Sequence, residues 1–281
     1  MSAGLRVFKE DGSPLFDTEK ITYGLLKSGY LALLTTWPRL DLRSIQLDPS
    51  DGSSWTESNL RDNVFGFSVT GAMAPIVFIS GTGAVAGSSR SGDTTTFYFL
   101  GATTSTKYYY FDTMRDTLNG AGLKTFREAD GVLTFNSLQY PLNIVATVTA
   151  PQRPPELNGV AGYYGAPYVG ATVTNGSISP GGPPNVLSRV TVPLGAGEYA
   201  ASITFSRGAS MGQRENYYWY LVAISEGAGG VSGGVQFMFC VAARTTQLQS
   251  NRFPNGFFNI PVDRYPQALV IRTENLPFPF N

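Results

Sequence analysis

Short runs of apolar or alternating residues recur at 31–35, 64–69, 76–79, 95–100 and 107–111. Clusters of Gly, Ser, Asp and Pro separate them: DPSDGSS from Asp48, SGTG from Ser80, GSSRSGD from Gly87. Period-two runs closed by turn-formers predict antiparallel strands, and strands of this spacing predict a sandwich or barrel. Helical periodicity is confined to two windows, Thr56–Asn63 and Asp112–Asn119, each good for one or two turns.

One stretch occurs twice. GLRVFKEDGSPLFDT (4–18) returns as GLKTFREADGVLTFNS (122–137), with Ala129 as a one-residue insertion. Gly4, Leu5, Phe8, Glu10, Asp11, Gly12 and Phe16 meet the identical Gly122, Leu123, Phe126, Glu128, Asp130, Gly131 and Phe135. Arg6/Lys124, Lys9/Arg127, Asp17/Asn136 and Thr18/Ser137 keep charge or polar shape. The local pattern is a β-hairpin whose Asp-Gly turn lets glycine take a positive φ, and the insertion falls in the turn, where a change of length costs least.

Weaker echoes follow in the same order. The segment 94–106, with Phe97, Phe99 and Ala102, parallels 233–245, with Phe237, Phe239 and Ala242. APIVFISGTG (74–83) is set beside YYWYLVAISEG (217–227), and YYYFD (108–112) beside ALVIR (268–272). The expectation is an all-β chain of two tandem antiparallel β-sandwich-like units with long loops, 1–118 and 119–281. A length of 281 residues gives each unit enough chain for its own core.

The units differ between the hairpin and the later strands. Residues 37–62 carry both charge signs, whereas 151–184 are rich in Gly and Pro, with Arg153 and Glu156 as their charges. Tyr163, Tyr164 and Tyr168 in this second stretch are candidate contacts with a partner protein, so deleting 156–182 is expected to leave a folded chain. Trp37 and Trp55, in loop-like sequence, are candidate exposed aromatics.

Composition narrows the chemistry. Twenty basic residues balance twenty acidic ones, which argues against nucleic acid and anionic membranes as partners. The apolar run around Phe237 is broken by glycines and Glu226 before it reaches membrane-spanning length, and the first residues lack the apolar core of a signal peptide. A single Cys240 excludes an intrachain disulfide. The absence of histidine removes Ser-His-Asp and Cys-His nucleophiles and His-containing metal sites. GVSGG (230–234) then reads as a glycine turn, GTGAVAG (81–87) lacks the Lys of a phosphate loop, and DPSDG (48–52) reads as turn chemistry. The clusters YYYF (108–111) and YYWY (217–220) read as strands with alternate rings in the core. No catalytic, metal or cofactor-binding residues are expected. A glycosidase needs only paired carboxylates, but the acids are scattered, and Asp112 and Asp116 sit where the first unit ends.

The Gly-Leu-basic-x-Phe opening, its Asp-Gly turn and the Phe-Asp/Asn-Thr/Ser ending resemble small proteins encoded in the tail modules of tailed bacteriophages, near tail-tip or baseplate genes. So does YYYFD (108–112) leading into a fresh hairpin at Gly122. The resemblance covers 4–20 and 108–145. It implies a virion component of the tail tip or its fibres, made in the host cytoplasm, present in several copies and docking other tail proteins. Contact with a host surface glycan or pilus is the alternative, and a virion glycan hydrolase a third reading.

Overall fold

A computed structural model describes residues 6–8, 10–12, 14–42, 55–116, 120–174, 186–215, 218–243, 246–249 and 255–281. The protein is all-β. Among the described residues its regular elements are strands, with one 3-10 turn at Leu157–Gly159.

Each half opens with a detached two-stranded hairpin, β1 (Arg6–Phe8) with β2 (Pro14–Asp17) and, later, β10 (Lys124–Phe126) with β11 (Leu133–Asn136). Their registers correspond residue by residue. Arg6 faces Asp17 and Val7 faces Phe16, with a bulge before Phe8; Lys124 faces Asn136 and Thr125 faces Phe135, with a bulge before Phe126.

The first unit continues with β3 (Tyr23–Tyr30), β4 (Ala32–Leu42), β5 (Trp55–Thr70), β6 (Ile76–Ser80), β7 (Ala84–Ser91), β8 (Thr94–Leu100) and β9 (Lys107–Thr113). Pairing gives one layer ordered β3-β9-β6 and a second ordered β4-β5-β8-β7. Leu31, Phe67, Val69, Ile79, Phe99, Tyr108 and Tyr110 fill the space between them.

The second unit has β12 (Ala146–Thr149), β13 (Tyr163–Tyr164), β14 (Thr172–Val173), β15 (Val186–Ile203), β16 (Gly208–Glu215), β17 (Tyr218–Val241), β18 (Thr246–Gln249), β19 (Gly256–Phe258) and β20 (Gln267–Arg272). The long β15 serves both layers. Its last residues lie beside β20, giving β12-β20-β15, and its first part joins β14-β15-β17-β16. The orders β12-β20-β15 and β14-β15-β17 repeat β3-β9-β6 and β4-β5-β8, but β16 pairs with Tyr218–Ser225 of β17 while β15 pairs with Ser232–Cys240, so β17 does not lie between the two as β8 lies between β5 and β7. Phe65 faces Phe99 and Thr70 faces Thr94; in the second unit Ser188 faces Phe239 and Pro193 faces Gly234. At the edge, Leu31 donates its N–H to the Thr106 carbonyl and Ala150 donates its own to that of Pro266, both at 2.9 Å.

Two expectations need correction. The counterpart of β6 is the end of β15, which pairs with β20 as β6 pairs with β9, so 74–83 does not correspond to 217–227. The helical windows are strands: Thr56–Asn63 lies inside β5 and is paired with β4, and Asp112 and Thr113 close β9. Windows this short do not nucleate a helix unaided, and a partner strand decides their conformation; residues 117–119 lie outside the described ones.

The halves are not separate sheets. Ser80 of β6 pairs with Gly230 of β17 in parallel, Ile79 pairs with Ala201 of β15, and Thr246 of β18 pairs with Leu40 of β4. A shared apolar cluster joins Leu25, Phe78, Tyr109 and Phe111 of the first half to Ala200 and Ile271 of the second.

Candidate functional site

The tyrosine-rich loop folds inward. Tyr163 and Tyr164 form β13, which finds its ladder partner in Phe257 and Phe258 of β19. Tyr163 stacks on Phe258 at 4.9 Å and donates its hydroxyl to the Asn255 carbonyl at 2.6 Å. Tyr164 lies under the Arg153 guanidinium, 4.6 Å from its ring centre. Tyr168 is wholly buried and donates its hydroxyl to Glu226 Oε1 at 2.7 Å. Arg207 grips the same carboxylate with Nε (2.6 Å) and Nη2 (2.9 Å) and donates Nη1 to the Pro261 carbonyl at 3.0 Å. Burial, then the charge of Glu226, pushes the Tyr168 hydroxyl well above its ordinary pKa, so it stays a proton donor.

The three tyrosines are therefore spent inside their own unit, contrary to the expectation of a partner contact. A loop poor in backbone ladders is held by long-range side-chain bonds, and deleting 156–182 removes part of the second core. Arg207 and Glu226 were not singled out from sequence as functional; the available signal was a lone carboxylate in an apolar strand, which has to be paired to be buried.

Asp112 is a second buried carboxylate with a structural task. It accepts N–H bonds from Met73 (2.9 Å), Ala74 (2.8 Å) and Thr113 (2.8 Å) and the Tyr110 hydroxyl (2.6 Å), fixing the turn between β5 and β6. Burial alone would raise its pKa, but these four donors outweigh it and hold the carboxyl below its ordinary value. The stabilisation is then present above the unfolded value of about 3.9 and lost as pH falls through the folded one. Asp112→Asn is expected to cost about 1–3 kcal/mol at neutral pH, and urea titrations of both proteins should show the gap narrowing as pH falls below about 3.9. Asp116 pairs instead with Lys124, so Asp112 and Asp116 do not form a facing pair.

Trp37 and Trp55 lie on strands and not in loops. Trp37, in β4, is half-buried and packs on Tyr98 of β8 at 5.4 Å, on the outer face of the first unit. The Tyr98 hydroxyl bonds Ser89 at 2.8 Å, and Ser68 bonds Thr96 nearby, also at 2.8 Å. Trp55 opens β5 opposite Leu42; its side chain is outside the described residues. A shallow pocket of about 190 Å³ opens beside Leu26, Val69 and Tyr110. Its two cations already serve backbone carbonyls, Lys27 that of Ser68 and Arg115 those of Thr70 and Gly71. Among the described residues, no group of three or more Cys, Asp or Glu is poised to hold a metal, and no helix is long and apolar enough to cross a membrane. Cys240 is buried, its thiol pushed up to about 12 by desolvation.

The second hairpin does have a docking geometry. It reaches back across the first unit, where Thr22 donates its N–H to the Thr134 carbonyl at 2.8 Å and Leu25 donates to Tyr140 at 2.8 Å. Asn136 Nδ2 donates to the Arg115 carbonyl at 3.0 Å, and the Arg115 N–H donates to Gln139 Oε1 at 2.9 Å. Thr134 and Asn136 are fully buried in this contact. The first hairpin has the same register, yet β1 is exposed along its whole length, Val7 and Phe8 included. These arrangements suit association. Comparison with protein-family models, curated proteins and solved structures finds no match.

Proposed function

We propose that this chain is a non-enzymatic structural component of a bacteriophage tail tip, baseplate or fibre attachment site, and that it works by docking other virion proteins. The observation that carries this reading is the repeated hairpin. Its second copy ties one unit to the other through backbone and side-chain bonds, and its first copy has the same register with β1 exposed. The hairpin is also the motif that resembles phage tail-module proteins. Gold labelling and mass spectrometry of purified particles should find the chain at the tail end. Particles that assemble without it would refute the proposal.

A receptor-contact reading has one observation of its own. The Trp37–Tyr98 pair, bordered by the hydroxyls of Ser68, Ser89 and Thr96, is the kind of surface on which a sugar ring stacks. If that reading holds, Trp37→Ala particles assemble normally and adsorb to cells poorly.

A further inference from the structure

We infer that the first hairpin docks on the second unit of another copy of this chain, repeating between molecules the contact that the second hairpin makes within one. This names the partner for the docking module proposed above and rests on that reading of the hairpin.

The duplication makes each half of the internal contact comparable with its counterpart. On the donating side, β1–β2 matches β10–β11 in register and in the position of its bulge. Thr125 and Lys124 are half-buried in the docked copy, whereas Val7 and Arg6, in the same places, are exposed. On the receiving side, the outer edge of β3 takes the second hairpin and the segment after it: Gly24 pairs with Pro141, and Leu142 donates its N–H to the Tyr23 carbonyl at 2.9 Å. Leu25 there is 1% exposed. The strand in that role in the second unit is β12, paired with β20 as β3 is with β9. The residues leading into it, Asn143, Ile144 and Val145, are exposed, Val145 by 43%. A monomer thus leaves open an apolar strand edge that its own first unit covers.

A second position shows the same asymmetry. Met238 of β17 is fully buried, with the Gly83 N–H pointing at its sulfur (3.2 Å) and Ala84 beside it, so this face of the second unit is covered by the first. Tyr98 holds the same register in the first unit, opposite Gly66 as Met238 is opposite Arg189. It is half-buried, beneath Trp37. The exposed β1 and the half-buried Tyr98 face both belong to the first unit, and the exposed strand edge belongs to the second. The implied contact is head-to-tail, and such contacts close into a ring or extend as an open array according to the rotation between copies. Pro141 stands near the place of Thr22 and has no N–H, so the intermolecular contact lacks the counterpart of the Thr22–Thr134 bond. Its strand-edge bonds and the burial of Ile144 and Val145 remain.

Sedimentation velocity over a concentration series tests this on the full chain. Association is expected, and it should be lost in a donor variant, Val7→Asp with Phe8→Asp, and in a receiver variant, Ile144→Asp with Val145→Asp. All four side chains are exposed, so the variants should keep the parent circular dichroism and melting temperature. Mixing the two variants restores one intact contact and should give dimers and nothing larger. A full chain that stays monomeric, association that survives both variants, or a mixture that stays monomeric would overturn the inference. A monomeric chain that is nonetheless found in tails would leave the virion proposal standing and remove the self-docking alone.

Discussion

Replacing Glu226 by alanine is expected to destabilise the protein by about 3–5 kcal/mol, because it strands the Arg207 guanidinium in the core. Arg207 is 3% exposed and Glu226 fully buried, so neither can recover its partner's contribution from water. Tyr168 would lose its acceptor in the same step, and the loop that carries it would lose its deepest anchor. Tyr168→Phe is the milder control: it removes one hydrogen bond to a charged group, about 1.5–3 kcal/mol, and leaves the ion pair intact. Urea unfolding followed by tyrosine and tryptophan fluorescence checks both. A Glu226→Ala protein as stable as the parent would mean that the network does not hold the loop.

Gly230→Ala should also be strongly destabilising, since the strand passes there between backbones of both units. A Cβ on Gly230 would lie 1.9 Å from the Tyr199 carbonyl oxygen, and one on Gly229 would lie 2.1 Å from that of Gly81. The neighbouring atoms are main chain and cannot rotate away. The sheets would have to part where Gly81 donates its N–H to the Gly230 carbonyl at 2.8 Å. Overpacking typically costs about 1–3 kcal/mol, and a backbone obstacle puts this case at or beyond the upper end. Gly208→Ala, whose Cβ would find its nearest neighbour at 4.0 Å, should change stability by no more than about 0.5 kcal/mol. Equal effects from the two substitutions would contradict the close approach.

The hairpins were legible because everything that makes them is local: alternation, an Asp-Gly turn and a bulge within a dozen or so residues. The match of Phe97 and Phe99 to Phe237 and Phe239 was legible for a related reason, as inward-facing rings recur at period two, and the ladders agree with it. The counterpart of β6 was not. IVFIS and the end of β15, YAASI, share little chemistry, and their equivalence shows only in their pairing with β9 and β20. The tyrosine loop misled for a physical reason. Its Gly and Pro content forbids regular structure, but the bonds that bury it come from residues 58 and 92 positions away, Glu226 for Tyr168 and Asn255 for Tyr163. Exposure on β1 is equally invisible in sequence, because the two hairpins carry similar residues and β1 is exposed where Lys124 and Thr125 of β10 are half-buried.

A cryo-EM map of the intact particle tests the central claim most directly. The account predicts density for this chain at the tail end, with Val7 and the strand edge at Ile144 and Val145 covered by neighbouring subunits. A particle without the chain, or a map in which it hangs at a fibre tip with the first hairpin bare and Trp37 turned to the receptor, would contradict it.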